Sequence, residues 1–188
     1  MPQPHDREVL ISVDVETSGP TPGTGSLIAI GACLVDRPDV GFYRELQPIV
    51  GLPWDPGAER VHGLSETRLH EQGLPPGTAM ADMGDWVAGV CAGGRPVFVG
   101  FNAAFDWMFV ADYFHRFLGG NPFGFAALDL KALFMGRSGV AHWADTTKRQ
   151  VLARYPVDSP HTHHALDDAR MQAAIARRLL DLPEPPGA

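Results

Sequence analysis

Glu8-Val9-Leu10-Ile11-Ser12-Val13-Asp14-Val15-Glu16 is the stretch whose reading decides the fold. β-Branched and polar residues alternate along it, so it predicts a strand. Side chains two apart on a strand share a face, which sets Asp14 and Glu16 on one side and Val13 and Val15 on the other. Two neighbouring carboxylates at the end of an apolar strand repel each other and lose solvation. Divalent cations offset both costs, and carboxylate oxygens suit Mg²⁺ or Mn²⁺. A solvated strand end on an exposed sheet face would carry the same pair, so other residues must decide.

Outward from this strand, Thr17 to Gly25 is a loop rich in turn formers. Leu27 to Val35 is a continuous apolar run, and Gly41 to Gln47 adds a third strand. The short connections predict an antiparallel meander. Pro48 to Gly77 reads as irregular. Thr78 to Cys91 has helical spacing, with Met80, Met83, Val87 and Val90 on one face. Pro96 to Gly100 is a short strand, after which Asn102 reads as the N-cap of a helix running to about Leu118. Ala126 to Leu130 predicts the last strand, followed by a short helix to Met135. Trp143 to Tyr155 reads as helix, and Ala165 to Leu180 as the final one. The class is therefore α/β: a mixed five-stranded sheet, three antiparallel strands and then two more, flanked by helices.

The chain has 188 residues, 45% of them hydrophobic, enough for one domain with its own core. We set that domain at residues 7–181, with 1–6 and 182–188 as short flexible termini. Its two cysteines, Cys33 and Cys91, lie in apolar stretches and read as buried thiols in a reducing cytosol. The polar first eight residues lack the core of a signal peptide, and the apolar runs are strand-sized. A soluble cytoplasmic protein is expected, with no membrane partner.

A net charge of −7 argues at first against nucleic acid. Its distribution softens that objection, because residues 1–128 carry −8 and residues 129–180 carry +3. Such a chain suits a short single-stranded end better than a long duplex.

Two further segments hold acids. Asp106 follows Asn102 by four residues and falls in the first turn of the helix expected there, where the helix dipole favours a negative charge. His163 and Asp168 are five residues apart, about 140° of rotation on a helix, so they would not converge if both were helical. They converge if His163 lies in the loop before the helix and Asp168 in its first turns, and Pro160 makes a boundary there plausible. His161 and His164 crowd the same segment, and His164 shares a helical face with Asp168.

Taken together, these segments resemble the DEDDh exonucleases, the family of the proofreading exonuclease of bacterial DNA polymerase III, ribonuclease T and oligoribonuclease. Asp14-Val15-Glu16-Thr17 is similar to its first motif, Asn102 to Asp106 with Phe105 before the acid to its second, and His163-x-Ala165-x-x-Asp168 to its third. Val61-His62-Gly63-Leu64 is a further family-like element. The order is right, and the motifs bracket nearly the whole chain.

The resemblance implies a ribonuclease H-like fold and a two-metal 3′→5′ exonuclease that releases nucleoside monophosphates from single-stranded RNA or DNA. It implies Asp14, Glu16, Asp106 and Asp168 as ligands of two Mg²⁺ or Mn²⁺ ions, and His163 as general base, with His164 the rival. An unperturbed imidazole titrates near pH 6.5, which suits that task. Thr17, His62, Leu64, Asn102 and Phe105 are the expected substrate contacts, and Lys148, Arg149 and Arg154 are candidates for phosphates. Phe101 and Phe109 read instead as core. Two other readings share this centre: an oligoribonuclease-like or small-nucleotide phosphodiesterase, and a nuclease-like binding module that has lost catalysis. Only eight residues follow the last helix, which favours a stand-alone nuclease over a polymerase subunit. The oligomeric state stays open, a homodimer included.

Overall fold

The computed structural model describes residues 7–157 and 163–182. Pro160, His161 and the terminal segments 1–6 and 183–188 lie outside the described residues. Five strands, β1 (Glu8–Thr17), β2 (Leu27–Leu34), β3 (Gly41–Glu45), β4 (Arg95–Gly100) and β5 (Ala127–Asp129), form one sheet in the order β3-β2-β1-β4-β5. β1–β2 and β2–β3 are antiparallel, whereas β1–β4 and β4–β5 are parallel. The mixed sheet expected from the sequence is therefore present.

Its helices are α1 (Pro56–His62), α2 (Glu66–Gln72), α3 (Pro76–Cys91), α4 (Ala103–Leu118), α5 (Leu130–Ser138), α6 (Lys148–Arg154) and α7 (Ala165–Leu180). One core joins Ile11, Val13 and Val15 of β1 to Met80, Met83 and Val87 of α3 and to Phe109, Val110 and Tyr113 of α4. A second core, on the opposite face, joins Cys33 and Val99 to Leu130 and Phe134 of α5 and to Met171, Ile175 and Leu179 of α7. All eight residues of β2 are buried because both faces are covered. Each large apolar side chain buried in this way contributes roughly 1.5–3 kcal/mol. Among the described residues no helix is long and apolar enough to cross a membrane.

Three expectations need correction. The segment from Pro48 to Gly77 is not irregular, since it contains α1 and α2. Caps hold these two helices: Asp55 accepts from Gly57 N at 2.7 Å, Ser65 accepts from Arg68 N at 3.4 Å, and Gly63 ends α1 at φ 71°. Of their residues only Leu69 is buried, so there was no apolar period to detect. The helix expected over Trp143–Tyr155 is broken into a 3₁₀ turn at Trp143–Asp145 and the separate α6. A capping box between Thr147 and Gln150 starts α6 afresh. Asn102 does stand before α4, but with φ 63° and no capping bond. The Ala103 N–H is taken by Asp129 Oδ2 at 2.7 Å instead. Asp129 is itself the N-cap of α5, so one carboxylate closes the starts of two helices.

Candidate active site

The last parallel pair between β1 and β4 is Ser12 with Val99, and β4 ends at Gly100. β1 runs on for five more residues, so Asp14 and Glu16 project past the end of their neighbour. In sheets of this kind the crevice beyond the carboxyl ends of the strands is where ligands bind. Past that point the Val15 N–H faces the side that β4 has vacated. Asp106 Oδ1 accepts it at 3.1 Å, which fixes α4 against β1. A local backbone need thus explains why a buried acid stands in the first turn of α4.

Asp168 enters from the other face. α7 begins at Ala165, and its first turn lies directly on β2 at Gly31, the partner of Asp14 in the β1–β2 ladder. A Cβ at position 31 would collide with the Ala165 carbonyl carbon and the Leu166 nitrogen. Only glycine permits this approach, and it is the approach that delivers Asp168. Asp14, Glu16 and Asp168 then offer oxygens that all lie within 4.8 Å of one another. Gln172, one turn further along α7, donates from Nε2 to Asp14 Oδ1 and accepts the Phe101 N–H on Oε1 at 2.9 Å. It ties α7 to β1 and to the end of β4 at once.

The carboxylates are strained electrostatically. Burial holds Asp14 well above the ordinary carboxylate range, and the charges of Asp106, Glu16 and Asp168 add to the shift. Burial, reinforced by Asp168 and Asp106, raises Glu16 to about 8. Asp106 is raised to about 7 by burial, against the opposing Val15 N–H bond. Lys148 lowers all three. Such a cluster is costly unless the acids are protonated or met by positive charge.

Asp106 and His163 lie outside the 4.8 Å trio. His163 is exposed, stands just before α7 with φ 51°, and is near enough to His62 to lower that imidazole's pKa, an effect smaller than that of burial. His164 is the N-cap residue of α7. Its ring stacks on Tyr43 of β3 at 4.3 Å, with Nδ1 3.6 Å from Asp167.

Of the expected substrate contacts, His62 accepts the Leu64 N–H on Nδ1 at 3.0 Å, and its Nε2 is buried with no hydrogen-bond partner among the described residues. Thr17 is buried, with its hydroxyl on Gly19 O at 2.9 Å. Phe105 is half-buried against Phe109, and Asn102 is exposed and receives Lys131 Nζ at 3.4 Å. Phe109 is core, as expected, and Phe101 is half-buried against the second core, with Lys148 Nζ 5.7 Å from its ring centre. Arg154 donates to Ser138 O at 3.0 Å and serves the fold.

Gly31, Asp129 and Gln172 were not read as site residues. Gln172 had a signal, since it follows Asp168 by four residues and shares its helical face. Gly31 in an otherwise apolar strand was a second, because a strand glycine often marks a close approach of other backbone.

An exonuclease family model, that of RNase_T, matches residues 11–176. The 3′-5′ DNA exonuclease Cap18 of Escherichia coli is 44% identical over 180 residues, which is 95% of each chain. The nuclease domain of 3′hExo, a DEDDh family member bound to rAMP, superposes with a TM-score of 0.74 at 15% identity, over 92% of each chain. Escherichia coli exonuclease I in complex with a dT13 oligonucleotide superposes with a TM-score of 0.68 at 17% identity, over 93% of this chain and 41% of that one. At those two identities the likeness concerns the fold, while the family match and the Cap18 relative concern the sequence itself. The chain belongs to the RNase_T exonuclease family, and its motifs are those of the DEDDh 3′→5′ exonucleases within it.

Proposed function

We propose that the chain, acting as one domain over residues 7–181, removes nucleoside monophosphates from the 3′ end of single-stranded DNA at a divalent-metal centre on β1. The observation that carries this reading is the meeting of Asp14, Glu16 and Asp168 oxygens within 4.8 Å, beside buried Asp106. The donor set fits the metal: it is all carboxylate, and burial with mutual repulsion holds Asp14 and Glu16 above their ordinary pKa. Asp14, Glu16 and Asp168 would hold one ion, and Asp14 with Asp106 would support a second. When bound, two Mg²⁺ or Mn²⁺ ions stabilise both the attacking and the leaving oxygen of an in-line displacement.

The other roles fall to side chains of the chain itself. His163 takes the proton of the attacking water. The position of His164 supports this choice, because its ring is engaged by Tyr43 and Asp167. His62 accepts on Nδ1, so its neutral ring carries its hydrogen on Nε2, the donor it offers for a hydrogen bond to the substrate. Leu64 and Phe105 pack against the terminal bases, Asn102 flanks them, and the Thr17 backbone meets the 3′-OH. The DNA preference rests on the 44% identical relative, a DNA exonuclease.

The test uses pure protein with Mg²⁺ or Mn²⁺ and 5′-labelled single-stranded DNA, RNA and a dinucleotide, beside Asp14→Ala. We expect a ladder of 3′-shortened DNA that requires the metal and disappears in the variant. Absence of metal-dependent shortening of every substrate would overturn the reading in favour of a binding module. Turnover of the dinucleotide alone would replace it with a small-nucleotide phosphodiesterase.

A further inference from the structure

Of the fifteen lysines and arginines in this chain only two are lysines, Lys131 and Lys148, and Lys148 stands near enough to the carboxylate cluster to act on it. Lys148 opens α6, with Nζ 5.7 Å from the centre of the Phe101 ring, and it acts on Asp14, Glu16 and Asp106. Lys131, in the first turn of α5, has Nζ 4.3 Å from the centre of the Trp143 ring and 3.4 Å from Asn102 Oδ1. Phe101 and Asn102 are consecutive. The two ammonium groups and two rings therefore form one continuous wall leading outward from the cluster, and Trp143 at its far end is 49% exposed.

Six of the thirteen arginines are engaged by acids. Arg44, Arg68, Arg95, Arg116, Arg137 and Arg170 each have a carboxylate at salt-bridge distance. Among the described residues neither lysine has one. Both are laid on aromatic faces instead, which attract the charge without neutralising it. A ring under the ammonium also restricts the flexible stem, so less chain entropy is lost when an anion arrives. Lysine is a point charge that accepts a phosphate from many directions, as a strand advancing one nucleotide at a time requires. Exposed rings stack bases without sequence preference. In a chain of net charge −7, a local positive wall is what would let a polyanion approach the acids at all.

We propose that this wall seats the backbone of the single strand behind the cleaved end, a reading that rests on the exonuclease function proposed above. Lys148 holds the phosphate beside the carboxylates, Lys131 holds one further from the end, and Trp143 stacks a base.

The experiment measures binding of a fluorescein-labelled, phosphorothioate-linked single-stranded DNA in Mg²⁺ by anisotropy, as a function of monovalent salt. Each phosphate contact adds about 0.7 to the slope of log affinity against log salt for a single strand. We expect Lys131→Gln and Lys148→Gln each to lower the slope by about 0.7 and the double variant by about 1.4, with lysine-to-arginine variants restoring it. Trp143→Ala should weaken binding several-fold with the slope unchanged. Acetylation of the two lysines, followed by mass spectrometry, should slow several-fold in the presence of the strand. A wild-type slope no steeper than that of the double variant, or equal acetylation of both lysines with and without the strand, overturns the wall. Wild-type protein that shortens DNA while either result holds loses the wall alone. Wild-type protein that neither shortens nor binds any strand loses the exonuclease reading with it.

Discussion

Asp14 shows at the scale of one residue how much a site of this kind costs the protein that carries it. It is half-buried, feels the charges of three other acids, and accepts a hydrogen bond from the Gln172 amide. Removing its charge should relieve the neighbours. We therefore expect Asp14→Asn to raise the melting temperature of the metal-free protein while abolishing turnover and the rise in melting temperature on adding Mg²⁺ or Mn²⁺; calorimetry in EDTA and in Mg²⁺ reads both. His163 carries a different prediction. A positioned acid–base group contributes about 10²–10⁴-fold to a rate. His163→Ala should lower kcat within that range and leave Mn²⁺ affinity close to wild type. His164→Ala should retain most of kcat, and the reverse pattern would exchange the two roles.

At the scale of elements, the site depends on how close α7 comes to the sheet. Asp168, Ala169 and Gln172 form the stripe of α7 that meets β1, and Gly31 is what lets the start of the helix rest on β2. Forcing a methyl into a filled contact costs about 1–3 kcal/mol. Gly31→Ala should therefore destabilise the fold by about that much, a few degrees of melting temperature in a chain of this size. It should also lower kcat far more than Mn²⁺-saturated stability, because the displaced first turn carries Asp168 and adjoins His163. Turnover equal to wild type in a folded Gly31→Ala protein would mean that the approach of α7 does not set the site. Gln172→Ala leaves the half-buried Phe101 N–H without its acceptor, a loss of about 1–3 kcal/mol that a melting curve would report.

At the scale of the whole molecule, proton binding and folding are linked. Glu16 moves from an ordinary 4.5 to about 8, and Asp106 from 3.8 to about 7. Both shifts are upward, so between the unfolded and folded values the folded state holds protons that the unfolded chain has released. Stability of the metal-free protein is then full below about pH 4 and falls as the pH rises through 7 and 8. A cation that replaces those protons should stabilise more at pH 8 than at pH 5. Melting curves across pH 5–8, with EDTA and with Mg²⁺, check the sign: a metal-free protein that grows more stable toward pH 8 contradicts it.

The sequence by itself determined the sheet, the order of the three motifs and the limits of α7, because these rest on local periodicity and on residues close in the chain. The alternation over Glu8–Glu16 fixed which face Asp14 and Glu16 share, and Ala165–Leu180 is the helix its spacing predicted. The segment 48–77 was not legible, since α1 and α2 depend on caps and bury almost nothing. The capping of α4 was missed for another reason: the partner of Ala103 is Asp129, twenty-six residues away. Only the tertiary structure decided that three acids from two distant segments meet within 4.8 Å, that Gln172 and Gly31 make the meeting possible, and that both lysines lie on aromatic rings, Lys148 close enough to act on the acids. The physical reason is the same in each case. Periodicity records which face a side chain takes, whereas the distance between faces is set by how closely two packed elements approach.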